Sequence, residues 1–172
     1  MASIMENLLE VLDQEVIQYK ALLELSERKT QIVVAGDVPA LIKLTDEEQV
    51  LVDRLSVLDK KRTVAMKDVA DVMNKNAATF RLTDLMSLLS GRPSEQKKLS
   101  AIIDSLRGTA SQIARVNDQN RELIKNTLEM IEFDLNLVRG MKAAPETAQY
   151  TSGGYSAGSR LGVPSGKFDA KQ

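Results

Sequence analysis

No cysteine, histidine or tryptophan occurs in this sequence of 172 residues, and its aromatic residues are three tyrosines and three phenylalanines. Without cysteine the chain can form no disulfide, and without cysteine and histidine it lacks the usual ligands of zinc. It also has no imidazole, the side chain most often used for general acid–base catalysis. These absences exclude most familiar active sites, and any core must be built from aliphatic side chains.

Motifs that hold phosphates or metal ions are missing as well. The sequence contains no GxxxxGK[ST] loop, and Gly153, Gly154 and Gly158 do not follow a predicted strand. A di-iron helical bundle would need Glu-x-x-His pairs, which a chain without histidine cannot supply. We therefore predict that the protein is not an enzyme and that it has no catalytic residue, no metal site and no cofactor.

The charge is almost balanced, with 23 basic and 24 acidic residues and a net charge of -1. This balance gives no general attraction to nucleic acid or anionic lipid. The cluster Lys60, Lys61 and Arg62 lies within a helical pattern, and we interpret it as a solvated helix face. No apolar run reaches membrane-spanning length, and residues 1–10 lack the basic start of a signal peptide. We expect a cytoplasmic protein without direct membrane insertion.

Glycine and proline divide the chain into a body and a tail. Glycines are widely spaced up to residue 140 and crowded over the last twenty residues, together with many serines. We predict a helical bundle domain over residues 1–141. Residues 142–172 are predicted to form a Gly/Ser-rich flexible tail, because such a composition buries too little apolar surface to offset the entropy of ordering.

An apolar repeat of about 3.5 residues predicts three long amphipathic helices in the body. It runs over residues 5–33, 41–72 and 99–138. Gly36 is expected to end the first helix and Asp37 to cap the second. Thr83 is the expected cap of a short helix, and Ser94 that of the last. Short connections favour antiparallel neighbours, so we predict an all-α fold. It is an elongated antiparallel helical bundle or coiled coil of three long helices plus a short one, with a flexible C-terminal tail.

Four polar residues interrupt the apolar seams of these helices. Glu48 and Arg62 lie on the seam of the second helix, and we favour exposure with extended side chains over pairing across the hairpin. Asn117 and Asn120 lie on the seam of the last helix. We expect them to form hydrogen bonds across the bundle and to fix its register, with direct ligand binding as the alternative.

The end of the last helix carries more apolar side chains than one seam requires. The predicted core face contains Ile124, Leu128, Ile131, Leu135 and Val138. A second apolar stripe lies on another side of the helix and contains Leu123, Met130, Phe133, Leu137 and Met141. Either another helix of the chain covers this stripe, such as the short one, or it is a docking surface for an amphipathic segment of a partner.

At several positions the sequence resembles the FlgN family of flagellar type III export chaperones. They are Gly36 and Asp37 after a long helix, Leu41, Leu44 and Glu48 at the start of the next, Leu55, Leu58, Asp59 and Arg62 along it, and the Asn117-x-x-Asn120-x-x-Leu123 pattern. Tyr150 and Gly153 resemble the Tyr-Gly element that family members often carry after the last helix, although Thr151 and Ser152 intervene here.

The resemblance implies a cytosolic chaperone that binds the C-terminal segments of the hook-filament junction proteins FlgK and FlgL before their export. It also implies delivery to the export gate protein FlhA, in which Tyr150 is the nearest candidate for a contributing aromatic residue. We expect the partner-binding residues to be those of the second stripe and Tyr150, and the protein to be a monomer or a weak dimer.

Two other functions fit the same pattern. The chain could be a structural coiled-coil adaptor that completes its seam by self-association, or a flagellar chaperone of the FliT or FliS type with another client. The sequence does not decide between these clients.

Overall fold

The computed structural model of the protein describes residues 2–143, and these residues are almost entirely helical. They form α1 (Ala2–Ala35), α2 (Val38–Val72), α3 (Leu82–Leu88) and α4 (Pro93–Ala143), with one turn of 3₁₀ helix at Leu89–Gly91. No strand occurs in this part of the chain. The predicted all-α class is therefore confirmed. Almost all of the predicted tail lies outside the described residues.

Gly36 and Asp37 make the turn between α1 and α2, as predicted. Gly36 has a φ of 67°, which costs an L side chain energy but not glycine. Its N–H donates to the carbonyl of Val33 at 3.1 Å and thereby satisfies one of the free acceptors at the end of α1. The Asp37 carboxylate accepts a hydrogen bond from the Ala40 N–H at 3.0 Å, which caps α2.

The starts of α3 and α4 differ from the prediction. Thr83 lies inside α3, and the Asp84 carboxylate accepts a hydrogen bond from the Arg81 N–H at 2.9 Å before the helix begins. Pro93 is the first residue of α4, so Ser94, the predicted cap, lies inside the helix. Proline fits there because a helix leaves its first N–H groups without intrahelical partners, so the missing N–H costs nothing.

Ion pairs join α1 to α2 at two levels. Glu15 of α1 pairs with Arg62 of α2 at 3.0 Å. Further along α1, Lys29 pairs with Glu48. From Glu15 to Lys29 the residue numbers rise along α1, whereas those of the paired residues fall from Arg62 to Glu48 along α2. The expected exposure of Glu48 and Arg62 is therefore wrong, because α1 presents an opposite charge to each of them.

The apolar core of the described residues contains two clusters. The α3 cluster draws on α1, α2, α3, the 3₁₀ turn and α4. Its buried residues are Met5, Leu8, Leu12, Ala65, Val69, Leu85, Leu89, Leu99 and Ile102. The turn cluster lies nearer the α1–α2 turn, and its buried residues are Leu25, Leu44 and Leu51. Along α1, the buried Glu15 lies between the two clusters.

The buried face of α4 is shifted from the predicted seam. The buried residues are Leu99, Ile102, Thr109, Ile113, Val116 and Asn120. A heptad row of buried residues consists of Ile102, Thr109 and Val116. The apolar pattern did not predict this row, because its middle residue is a threonine. Asn117, predicted on the seam, is exposed because Val116 takes the buried place beside it.

Candidate partner-binding surface

Asn120 fixes α4 against α1. Its side chain is 1% exposed, its Nδ2 donates to the backbone carbonyl of Ser26 at 2.8 Å, and its Oδ1 accepts from the Thr30 hydroxyl at 2.6 Å. A buried amide needs partners for both its donor and its acceptor, and this site supplies them. Asn120 therefore sets which residue of α4 lies level with the last turns of α1.

Only a few residues of α1 follow the contact with Asn120. This helix ends at Ala35, soon after Thr30, whereas α4 continues to Ala143. Both Leu123 and Ile124 are still half-buried, but Leu128 is exposed. The burial of α4 along this part of the bundle thus ends where its partner helix ends.

The last turns of α4 carry a dense group of exposed apolar side chains, which we call the apolar end surface. Their exposed fractions range from 48% for Ile131 to 71% for Met141. The group consists of Met130, Ile131, Phe133, Leu135, Leu137, Val138 and Met141. The predicted core face is therefore wrong for Ile131, Leu135 and Val138, and also for Leu128, since all four are exposed.

The short helix does not cover the second stripe either. Leu85 and Leu89 are buried in the α3 cluster, where they pack with residues of α1, α2 and the first turns of α4. Within residues 2–143, the structure thus leaves Met130, Phe133 and Met141 about two-thirds exposed or more.

Apolar side chains occupy most of the circumference of this helical segment. At about 100° per residue, Ile131, Leu135 and Val138 form one stripe, and a second stripe lies roughly 130° around the helix. The wider gap between them carries Glu132, Asn136 and Arg139, and Asp134 lies in the narrower gap. A helix that is apolar over so wide an arc is normally buried against other elements.

The chemistry of this surface suits binding. Full burial of a side chain such as Leu or Phe is worth about 1.5–3 kcal/mol, so a partner covering several of them would gain a large free energy. Met130 and Met141 add flexible thioether side chains that adapt to differently shaped partners. Among the described residues, no group of three or more acidic side chains is placed to hold a metal ion. None of the helices in that range is long and apolar enough to cross a membrane.

The predicted partner-binding residues are thus only partly brought together. Met130, Phe133, Leu137 and Met141 share the end of α4 and are exposed, whereas Leu123 is half-buried beside the bundle. Tyr150 lies outside the described residues. The sequence pattern assigned Ile131, Leu135 and Val138 to the core face and not to this surface, whereas all three are exposed.

Comparison with protein families shows to which family this chain belongs. The family model described as "FlgN protein" matches residues 1–157. The chain belongs to the FlgN family. Membership in this family indicates a flagellar export chaperone, and FlgN proteins act as chaperones and not as enzymes.

One curated relative is similar over most of both chains. It is the "Uncharacterized protein YvyG" of Bacillus subtilis (strain 168), which is 23% identical over 131 residues, covering 76% of this chain and 78% of the relative. No solved structure gives a significant match. The FlgN assignment therefore rests on the family model. The relative is described as uncharacterized, so it does not indicate which protein this chain binds.

Proposed function

We propose that this FlgN protein is a cytosolic chaperone that binds the C-terminal segments of hook-filament junction proteins of the FlgK and FlgL type. Binding would prevent their premature assembly and present them to the type III export gate. The protein would act by covering apolar surface of its client, with no catalytic step and no cofactor.

The observation that carries this proposal is the apolar end surface of α4. A client segment that must form an amphipathic helix in an assembled filament exposes an apolar stripe while it is unassembled. The stripe that contains Phe133 and Leu137 offers matching apolar area at exposed positions. We infer that this stripe takes the client helix and that residues 1–129, a compact unit of their own, serve as a scaffold with coiled-coil packing.

Delivery to the export gate is a further part of the proposal. We propose FlhA as the gate component and Tyr150 as a contributing residue, and that the predicted tail of residues 142–172 is flexible beyond Lys142 and Ala143, which end α4, and lies beside the client site. The composition of this segment, rich in glycine and serine, supports the tail assignment.

The test of the client site is a double substitution, Phe133→Asp with Leu137→Asp. Both side chains are exposed, so helix content by circular dichroism should not change. Each charge would have to be desolvated in the complex, so binding of a FlgK or FlgL C-terminal peptide should weaken by at least about a hundredfold in a fluorescence anisotropy titration.

A matched control carries Val34→Asp with Ile42→Asp, two exposed apolar positions on α1 and α2. This control should bind the same peptides with unchanged affinity. A folded Phe133 and Leu137 variant that binds as tightly as the wild type would overturn the proposed site. If no junction peptide binds the wild-type protein, the proposed client class is wrong.

A further inference from the structure

A groove that shares no residue with the apolar end surface lies between α1 and the first turns of α4. It has a volume of about 580 Å³, and we call it the α1–α4 groove. Its apolar lining consists of Leu9, Ile17, Ala101 and Ile102. Ile102 is buried beneath it, whereas Ala101 is exposed and Ile17 is 61% exposed. The α1 side of the groove, from Glu6 to Ile17, spans about three helical turns, or roughly 16 Å.

The α1 side of this groove is acidic. Glu6, Glu10 and Asp13 follow one another at intervals of four and three residues, so they lie on one side of the helix together with Ile17. All three carboxylates are exposed. None of the ion pairs in the described part of the chain involves them. In addition, α1 carries no basic residue before Lys20.

These three carboxylates are unfavourable to α1 by itself. Like charges three or four residues apart on a helix repel each other. The helix dipole favours acidic side chains only in the first turn, and the first turn of α1 contains none. A basic partner would replace this repulsion by attraction. The single basic residue in the lining of the groove, Lys98, lies on the α4 side.

We propose that the α1–α4 groove binds an amphipathic helix of a partner protein that carries lysine or arginine along one flank. The apolar stripe of that helix covers Ile17 and Ala101, and the small side chain of Ala101 lets it approach closely. Its basic flank lies over the carboxylates of α1. Its opposite flank lies beside Lys98 and is acidic or neutral. Basic residues three or four positions apart match the carboxylates, because both helices have the same rise per residue.

The charges of the groove select the partner, and the apolar lining supplies most of the binding free energy. An exposed ion pair contributes little, and salt screens it. A row of three carboxylates nevertheless discriminates strongly between a basic and an acidic flank, because like charges across an interface are costly. Only about three turns of one helix fit the groove. The contact is therefore small, with a dissociation constant in the micromolar range or above.

Two designed peptides test the charge selection. Each has about 18 residues, enough to form a helix, and the two share one apolar stripe. One peptide carries lysines along one flank, and the other carries glutamates at the same positions. In fluorescence anisotropy titrations at low salt, the full-length protein should bind the lysine peptide at least about tenfold more tightly. Equal affinities, or no binding of the lysine peptide, would overturn the proposal.

A charge reversal locates the binding site. Glu10→Lys with Asp13→Lys should weaken binding of the lysine peptide by at least about tenfold and strengthen binding of the glutamate peptide. The matched control is Asp68→Lys with Asp71→Lys, two exposed carboxylates of α2 that are also three residues apart. This control should keep the preference of the wild type. If both variants lose the lysine peptide equally, the attraction reflects net charge alone and the groove is not the site.

A polar substitution tests the apolar part of the contact. Ile17→Ser should weaken binding of the lysine peptide by at least about fivefold, because a covered apolar side chain is lost. The control Val52→Ser changes a valine of α2 that is 46% exposed and should have no effect. Unchanged binding by the Ile17 variant would contradict the docking. None of these variants touches the apolar end surface, so binding of junction peptides should persist in all of them, and the two sites are tested independently.

A photo-cross-link in cells tests the identity of the occupant. Gln14 lines the groove and is exposed, so it can be replaced by p-benzoylphenylalanine in the full-length protein. Mass spectrometry should then identify a helical segment of another protein with basic residues three or four positions apart. A segment of this same chain, from a second copy or from its own tail, would overturn the proposal. So would a segment without a basic flank, or the absence of any cross-link.

Discussion

Asn120 of α4 and Ser26 of α1 are joined by a buried hydrogen bond of 2.8 Å between the Asn120 amide nitrogen and the Ser26 carbonyl. Together with the hydrogen bond from Thr30, this contact means that the donor and the acceptor of the Asn120 amide both bond to α1. A register error along α1 would leave the amide buried without partners, so the contact disfavours such errors.

Replacement of Asn120 by alanine should therefore destabilise the protein by about 1–3 kcal/mol, because the buried hydrogen bond to Ser26 and the partly buried one from Thr30 are both lost. Urea unfolding followed by circular dichroism measures this difference. Asn117→Ala is the matched control, three residues away and exposed, and should change the free energy of unfolding by less than about 0.5 kcal/mol. Equal effects of the two substitutions would contradict the role assigned to Asn120.

Removal of the Arg62 guanidinium should be costly because Glu15, its partner, is only 2% exposed. At neutral pH we expect Arg62→Ala to lower the free energy of unfolding by about 2 kcal/mol or more. The control is Arg121→Ala, which breaks an exposed pair with Asp118 within one helix. That pair should contribute less than about 0.5 kcal/mol. A loss for Arg62→Ala as small as that of the control would show that the buried pair is not needed.

The same ion pair should make stability depend on pH. Burial raises the pKa of the Glu15 carboxyl above its ordinary value of 4.5, and the charge and hydrogen bond of Arg62 offset part of this rise. The folded state then holds the proton more tightly than the unfolded chain does. The contribution of Glu15 to stability therefore falls as the pH rises from about 4.5 through the raised pKa.

Glu15→Gln removes this titration while keeping an acceptor for Arg62. Below the ordinary pKa of glutamate the variant and the wild type should have similar stability, and the variant should gain on the wild type as the pH rises. Chemical unfolding at a series of pH values measures the difference. A difference that does not vary with pH, or that varies in the opposite direction, would contradict the raised pKa.

Two glycines should respond to alanine with opposite signs. Gly36 has a positive φ, so Gly36→Ala should cost about 1 kcal/mol although no atom beyond its two chain neighbours lies within 4 Å of the added methyl group. Gly108 lies within α4 with equally open space, so Gly108→Ala should stabilise the protein by up to about 1 kcal/mol. Thermal unfolding of both variants checks the pair, and a shift of the same sign in both would contradict this account.

Local signals in the sequence were sufficient for the helices and for one turn. The heptad pattern located the three long helices, and Gly36 with Asp37 located the turn, because both depend on residues close in the chain. The short helix was also predicted, but its start was misplaced. An aspartate in the first turn, Asp84, can supply the capping acceptor in place of Thr83.

Contacts between distant parts of the chain were harder to predict. The buried place of Val116, next to the exposed Asn117, depends on how α4 packs against α1, about ninety residues earlier. Likewise, the sequence did not show that Glu48 pairs with Lys29 or that Arg62 pairs with Glu15, because both partners lie on another helix, α1. The apolar end of α4 was visible in the sequence, but its exposure was not, because exposure depends on tertiary packing and not on the local pattern.

The division of the core into two clusters has a consequence for native-state motion. The α3 cluster is held by every helix of the described chain, whereas the turn cluster packs residues of α1 and α2 alone. Local opening requires less free energy where fewer elements must separate. Amide protons near Ile32 and Leu44 should therefore exchange with solvent deuterium earlier than those near Leu8 and Leu99, so that the α1–α2 turn opens while the opposite end of the bundle remains closed.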